Sequence, residues 1–151
     1  MIDTSLIYIE KDGCYLMLHR IKKERDVNKD KWVGVGGKFL PNETPLECAL
    51  RETYEETGLT LIEPEYRGVV DFSCTGWPDE RMHLFWADRF SGSLKECDEG
   101  VLEWVPIQTV NNDLPQWEGD RLFLQKLQQN APFFRMKLVY EGDRLIEAKE
   151  F

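Results

Sequence analysis

Two short apolar runs open the chain: TSLIYIE (residues 4–10) and CYLMLH (residues 14–19), with Lys11-Asp12-Gly13 between them. That is the pattern of two strands joined by a tight turn. Residues 20–31 are polar and locally basic and read as a loop. WVGVGGKF (residues 32–39) reads as a short strand interrupted by glycines. Strand-like runs recur near residues 66–73, 82–90 and 101–106. After Trp117, EGDRLFLQKLQQ predicts a helix over residues 118–129. The final FRMKLVYEGDRLIEAKEF predicts a hairpin turning at Glu141-Gly142-Asp143. Strand and helix patterns thus alternate, which places the chain in the α/β class. There is no internal repeat, low-complexity tract or linker-like shift in composition, so residues 1–151 are expected to form a single domain.

The strongest local signals surround RETYEETGL, residues 51–59. Thr44-Pro45-Leu46-Glu47 is a capping box with proline in the first turn. Gly58 fits the position just past a helix end. Between these signals, Leu46, Ala49, Leu50, Thr53 and Thr57 fall in one arc at about 100° per residue and predict the buried face. Glu52 and Glu56 lie on one flank of that arc, with Glu55 beyond them. Like charges at this spacing repel by roughly 0.2–0.5 kcal/mol per pair. Glutamates in a last turn also oppose the helix dipole. A solvated acidic stripe would more often lie opposite the core. A ridge beside the core points to a positive group among the carboxylates.

Composition narrows the classes. At 42% hydrophobic and 31% charged, the chain can bury a core. Its apolar runs are far shorter than the roughly 18 residues that span a bilayer. The first residues lack the basic-then-apolar pattern of a signal peptide, so a cytoplasmic location and no membrane partner are expected. A net charge of −9 argues against binding duplex nucleic acid. Cys14, Cys48, Cys74 and Cys97 are scattered, with only His19 and His83 to join them, so free thiols are expected in place of structural zinc.

Hard divalent cations take oxygen ligands, and Mg²⁺ keeps open positions for substrate phosphates. Glu52, Glu55 and Glu56 supply three carboxylates, and Gly36-Gly37 upstream lets backbone approach a metal closely. A metal-bound diphosphate can then be attacked by water, with a carboxylate taking the proton.

GKFLPNETPLECALRETYEETGL, residues 37–59, resembles the Nudix box. Gly37, Glu43, Arg51, Glu52, Glu55, Glu56, Gly58 and Leu59 match, and Thr53 stands where an aliphatic residue is usual. The resemblance implies a Nudix-type α/β/α sandwich with a mixed central β-sheet. It implies hydrolysis of a nucleoside diphosphate derivative with Mg²⁺ as cofactor, Mn²⁺ being a possible substitute. By position, Glu52, Glu55, Glu56 and the Gly36 carbonyl are implied metal ligands. Glu52 is also the implied general base, and Arg51, paired with Glu43, would orient the carboxylates. Glu99 is the chosen further acidic ligand.

Beyond the box, KWVGVGGK, ECDEGVLEWV and Trp117-Glu118-Gly119-Asp120 resemble the MutT-type 8-oxo-dGTP diphosphatases. That implies cleavage of 8-oxo-dGTP or related (d)NTPs to NMP and pyrophosphate, in nucleotide-pool sanitation. Trp117 and Asp120 are then implied base-binding residues, and Arg20 a phosphate contact. Gly119 and Val33 replace two further base-reading side chains of the animal enzyme. Lys22 and Lys23 read as solvated; Phe72, Trp77 and His83 border the pocket or pack in the core. Alternatives are a Nudix hydrolase of ADP-ribose, a dinucleoside polyphosphate or capped RNA, and a non-catalytic nucleotide-binding module. Oligomeric state is not set by the sequence.

Overall fold

The computed structural model describes residues 1–151. Strands β1 (Ile2–Lys11) and β2 (Cys14–His19) form the opening hairpin, followed by a short β3 (Trp32–Val33) and helix α1 (Pro45–Thr57). β4 (Thr60–Leu61), β5 (Glu65–Cys74), β6 (Glu80–Ala87), β7 (Phe90–Ser91) and β8 (Val101–Pro106) come next. Helices α2 (Ile107–Asn112) and α3 (Asp120–Gln128) precede the terminal hairpin of β9 (Phe134–Glu141) and β10 (Arg144–Glu150). Eight strands make one sheet in the order β10-β9-β5-β6-β1-β2-β3, with β8 pairing β2. β4 and β7 form a separate two-stranded ribbon.

The sheet is mixed. β1 runs parallel to β6, from Ile2 opposite Glu80 to Ile9 opposite Ala87. β9 runs parallel to β5, from Phe134 opposite Gly68 to Tyr140 opposite Cys74. β1 and β2 pair only beside their turn, at Glu10 with Tyr15 and Lys11 with Cys14. Farther along, β1 bridges to the glycine segment, Ile7 to Val35 and Thr4 to Lys38. β1 therefore lies directly beside the segment that approaches α1.

Alternating side chains on the central strands feed two cores. Ile7, Ile9 and Leu16 join Val35 and Phe85 under Ala49 of α1. On the opposite face Tyr8, Tyr15 and Met17 join Val110 of α2 and Phe123 and Leu124 of α3. This is the expected helix–sheet–helix layering. Each fully buried aliphatic or phenyl side chain in these layers contributes about 1.5–3 kcal/mol by leaving water. No helix is long and apolar enough to cross a membrane.

Several boundaries differ from the sequence expectation. The stretch 32–39 is a strand only at Trp32–Val33, because the glycines beyond it turn the backbone toward β1. The expected strand 82–90 begins at Glu80 and ends at Ala87; Phe90–Ser91 pairs instead with β4. α3 starts at Asp120, two residues after its expected start, and α2 was not anticipated. On α1, Leu46 is exposed while Cys48 and Glu56 are buried, so the buried face is rotated toward the carboxylates.

Thr53 is wholly buried, and its hydroxyl finds no hydrogen-bond partner. An unsatisfied buried polar group costs about 1–3 kcal/mol, and an apolar group of the same shape removes that penalty. Thr53→Val is expected to raise stability by about 1 kcal/mol, a shift of roughly 2–4 °C in Tm for a chain of this size. A drop in Tm on thermal denaturation would show that the hydroxyl is satisfied after all.

Candidate active site

The capping box predicted at Thr44 is formed: the Glu47 N–H donates to Thr44 Oγ1 at 3.1 Å and the Thr44 N–H to Glu47 Oε1 at 2.9 Å. At the other end Gly58, at φ 81°, donates its N–H to the Tyr54 carbonyl. The helix is thereby fixed at both ends with its carboxylates facing the glycine segment. A Cβ on Gly36 would fall 1.9 Å from the Ser5 carbonyl oxygen, and one on Gly37 2.6 Å from the Glu52 carboxylate. Backbone excludes a side chain at Gly36, while one at Gly37 would have to displace the Glu52 carboxylate. The close approach lets the Gly36 N–H donate to Glu56 Oε2 at 3.3 Å.

Arg51 organises the ridge. Its Nε and Nη2 donate to both oxygens of Glu43, at 2.7 and 2.9 Å. Its Nη1 donates to Glu52 at 2.7 Å and to Glu55 at 3.0 Å, and Nη2 also reaches the Lys38 carbonyl at 3.0 Å. A planar guanidinium has donors enough for this fork. Arg51 draws Glu43 well below the usual 4.5, to about 2, through their hydrogen bond.

Glu56 receives no cation. It is 7% exposed and takes part in no ion pair. Burial first, and then the charge of Glu99, push its carboxyl up to about 9; Glu52 adds to the rise, while the Gly36 N–H and Arg20 oppose it. Glu99 is held by Arg20 Nη1 at 2.8 Å and Lys23 Nζ at 2.9 Å. Arg20 also donates to Asp26 at 2.8 Å. Lys22 donates to the Cys97 carbonyl at 2.7 Å. Lys22 and Lys23 are therefore not merely solvated, as the sequence suggested; they tie the basic loop to the Glu99 loop. No three acidic, histidine or cysteine side chains stand together as a ready metal shell, because Glu52 and Glu99 are turned to cations.

Arg20, Gly36, Glu52, Glu56, Glu99, Trp117 and Asp120 all line one cavity of about 480 Å³. Glu43, Arg51 and Glu55 are not among its lining residues; they form the layer behind it. The wall is acidic and basic at these residues and apolar at Leu6, Val33, Phe72, Met82 and Trp117. Trp117 is a buried wall residue, 4% exposed and packed edge-on against Phe72 and Tyr140. Asp120 is buried as well, and burial pushes its carboxyl up to about 8, against the pull of Lys31. Nearby, the Tyr8 hydroxyl is buried without a hydrogen-bond partner.

Phe72 and Trp77 line the cavity, whereas His83 sits outside it, bonded to Asp3 at 2.9 Å and to Tyr66. Sequence reasoning missed Asp26, Glu80 and Arg25, which also line the cavity. Arg25 and Asp26 sit in a loop whose only sequence signal was the charge of residues 20–31, and Glu80 opens β6 with no signal of its own.

An acidic helix ridge against a glycine turn, lining a cavity in an α/β/α sandwich, is the arrangement that the sequence resemblance implies for a diphosphate hydrolase. The comparisons agree. The family described as NUDIX domain matches residues 3–127. The oxidized purine nucleoside triphosphate hydrolase of Danio rerio is 30% identical over 128 residues, covering 84% of this chain and 81% of that one. The CTP pyrophosphohydrolase of Escherichia coli is 27% identical over 104 residues, 69% of this chain and 75% of that one. The mutator MutT protein from Bacillus halodurans superposes with a TM-score of 0.86 at 26% identity, over 99% of this chain and 97% of that one. The chain belongs to the Nudix family and is a MutT-like hydrolase.

Two titrations follow. Glu43, depressed from 4.5 to about 2, stabilises the fold above the higher value, and that stability is lost as pH falls toward the lower. Arg51→Met is expected to lower stability at neutral pH and flatten this acid limb; an unchanged limb in urea titrations would contradict the Arg51–Glu43 coupling. Glu56 has the opposite sign. Its penalty is absent below 4.5 and grows as pH rises toward about 9. In EDTA at alkaline pH, Glu56→Gln is therefore expected to have a higher Tm than the unsubstituted protein, with the gain vanishing in acid.

Proposed function

We propose that the chain is a nucleoside triphosphate pyrophosphohydrolase that releases NMP and pyrophosphate, with 8-oxo-dGTP or a related (d)NTP as substrate and residues 1–151 acting as one catalytic domain. One observation carries the reading. One cavity is lined both by the carboxylates of Glu52, Glu56 and Glu99 and by the aromatic Phe72, Trp77 and Trp117 with the buried acid Asp120. A triphosphate and a base need those two environments, at opposite ends of one molecule.

The donor set fits a hard divalent ion. Glu56 is a carboxyl whose ionisation the fold opposes through burial and two neighbouring carboxylates. A cation there would relieve the conflict, and oxygen ligands suit Mg²⁺ or Mn²⁺. Glu52, Glu55, Glu56, Glu99 and the Gly36 carbonyl are the residues proposed to hold it. Glu52 must exchange Arg51 for the ion, Glu99 must exchange Arg20 and Lys23, and Glu55 must turn inward from Arg51. When bound, the ion neutralises the charge of the diphosphate.

The chain's own groups do the rest. Glu52 takes the proton of the attacking water. Arg51, anchored by Glu43, positions Glu52. Arg20, released from Glu99, contacts the phosphates. Trp117 walls the base site, and the neutral Asp120 offers one donor and one acceptor to the base edge. The four free cysteines suit a reducing compartment such as the cytoplasm.

A second reading has an ordinary pyrimidine triphosphate as substrate. It is favoured by Val33 and Gly119, which bring no side-chain hydrogen bond to the base end. Pyrophosphate release from 8-oxo-dGTP, dGTP, CTP and dCTP, with ADP-ribose and a dinucleoside polyphosphate as controls, ranks the readings by kcat/KM. Glu52→Gln is expected to lower kcat by at least about 10²-fold with little change in KM, as for loss of a group acting mainly in the transition state. An unchanged kcat would move the base elsewhere, with Glu99 next in line.

A further inference from the structure

Two indoles line the cavity, and they are not equally available. Trp117 is enclosed: the Lys31 ammonium lies 4.2 Å from its ring centroid, and Phe72 and Tyr140 pack against it at 5.0 and 4.6 Å. Its N–H is already spent on Asn28 Oδ1 at 2.7 Å. Trp77 is different. It sits in the turn between β5 and β6, its backbone N–H bonded to the Cys74 carbonyl at 3.1 Å. It is half-buried at the edge of the main core. The Arg25 guanidinium lies over its ring at 4.7 Å. Arg25 is exposed and makes no ion pair or hydrogen bond, so nothing else holds it there.

We propose that Trp77, and not Trp117, is the platform on which the nucleobase of the substrate stacks, with Arg25 as a displaceable cover. This rests on the nucleotide hydrolase reading above. A cation on an indole at a solvent-accessible site such as this half-buried one is worth about 0.5–1 kcal/mol, whereas a stacked base is worth about 1–3 kcal/mol. The base therefore wins the ring face. No base fits between a guanidinium and an indole already in contact at 4.7 Å, so Arg25 swings out. It remains on the loop that carries Arg20 and Lys23, where a passing triphosphate meets its charge. Phe72, Trp117 and Asp120 line the same cavity as Trp77, so a base lying on Trp77 stays within it.

The test uses the full chain and equilibrium binding of 8-oxo-dGMP, dGMP and CMP in EDTA, beside KM, kcat and Tm. Trp77→Ala is expected to weaken monophosphate binding and raise KM by about 5- to 100-fold, the range that loss of one stacked base gives. kcat should change less than about twofold, since stacking serves ground and transition states alike. Trp77→Phe keeps a smaller ring in the turn and is expected to fall between, which keeps the test open if the alanine variant folds poorly. Arg25→Ala is expected to tighten binding of the corresponding uncharged nucleosides, 8-oxo-deoxyguanosine, deoxyguanosine and cytidine, measured in the same way, by about 2- to 5-fold, because nothing then has to be displaced. Trp117→Phe is expected to move Tm more than KM. Unchanged binding and KM in both Trp77 variants would overturn the proposal, as would a tenfold KM rise in Trp117→Phe at constant Tm. Failure of the unsubstituted protein to bind any of the three monophosphates would overturn it too. Intact monophosphate binding without hydrolysis of any triphosphate would instead sink the hydrolase reading and leave the stacking result standing.

Discussion

The Arg51 guanidinium is the contact on which the acidic end of this molecule depends. It closes on Glu43 with two hydrogen bonds, spans Glu52 and Glu55, and reaches the Lys38 carbonyl. Without that fork, three glutamates in the last turns of a helix would repel one another and the negative end of the dipole. With it, one turn of α1, the loop before it and the glycine segment become a single rigid unit. Gly36 completes the constraint, since a side chain there would run into the Ser5 carbonyl.

What Arg51 leaves unpaired defines the chemistry. Glu56 is buried beside Glu52 and Glu99 with one backbone N–H for support. A fold under no functional demand would replace such a group with an apolar one, because a buried carboxyl without a partner is destabilising. The same argument applies to Asp120, which is buried in the wall of the same cavity, and to the Tyr8 hydroxyl, which has no partner. The basic loop is clamped to Glu99, a further residue of that wall, by Arg20 and Lys23.

Much of this was legible in the chain because it is local. The capping box, the stop at Gly58 and the terminal hairpin all rest on short spacings or turn chemistry, while the Arg51–Glu43 pair followed from the family resemblance. The Nudix family and its layered fold followed from eight residues between Gly37 and Leu59. The burial of Glu56 was not legible, because it depends on the Gly36 backbone arriving from twenty residues upstream. Leu46 has the right helical phase for the core but sits on a first turn that nothing covers. β4 and β7 are two residues each and carry no periodicity. The enclosure of Trp117 needed Lys31 and Tyr140, which approach it from distant parts of the chain. Trp77 was noticed as a border residue, but only the cation on its half-buried ring separates it from a packing role.

The central proposal is that Glu56 forms part of a divalent-cation site. Calorimetry of Mg²⁺ binding near pH 7.5, repeated in buffers of different ionisation enthalpy, tests it directly, because a ligand must lose its proton to bind metal. With burial and the charge of Glu99 raising the Glu56 carboxyl, binding is predicted to release protons, and Glu56→Gln to release fewer. Mg²⁺ binding without proton release, or with the same release in the variant, would contradict the account.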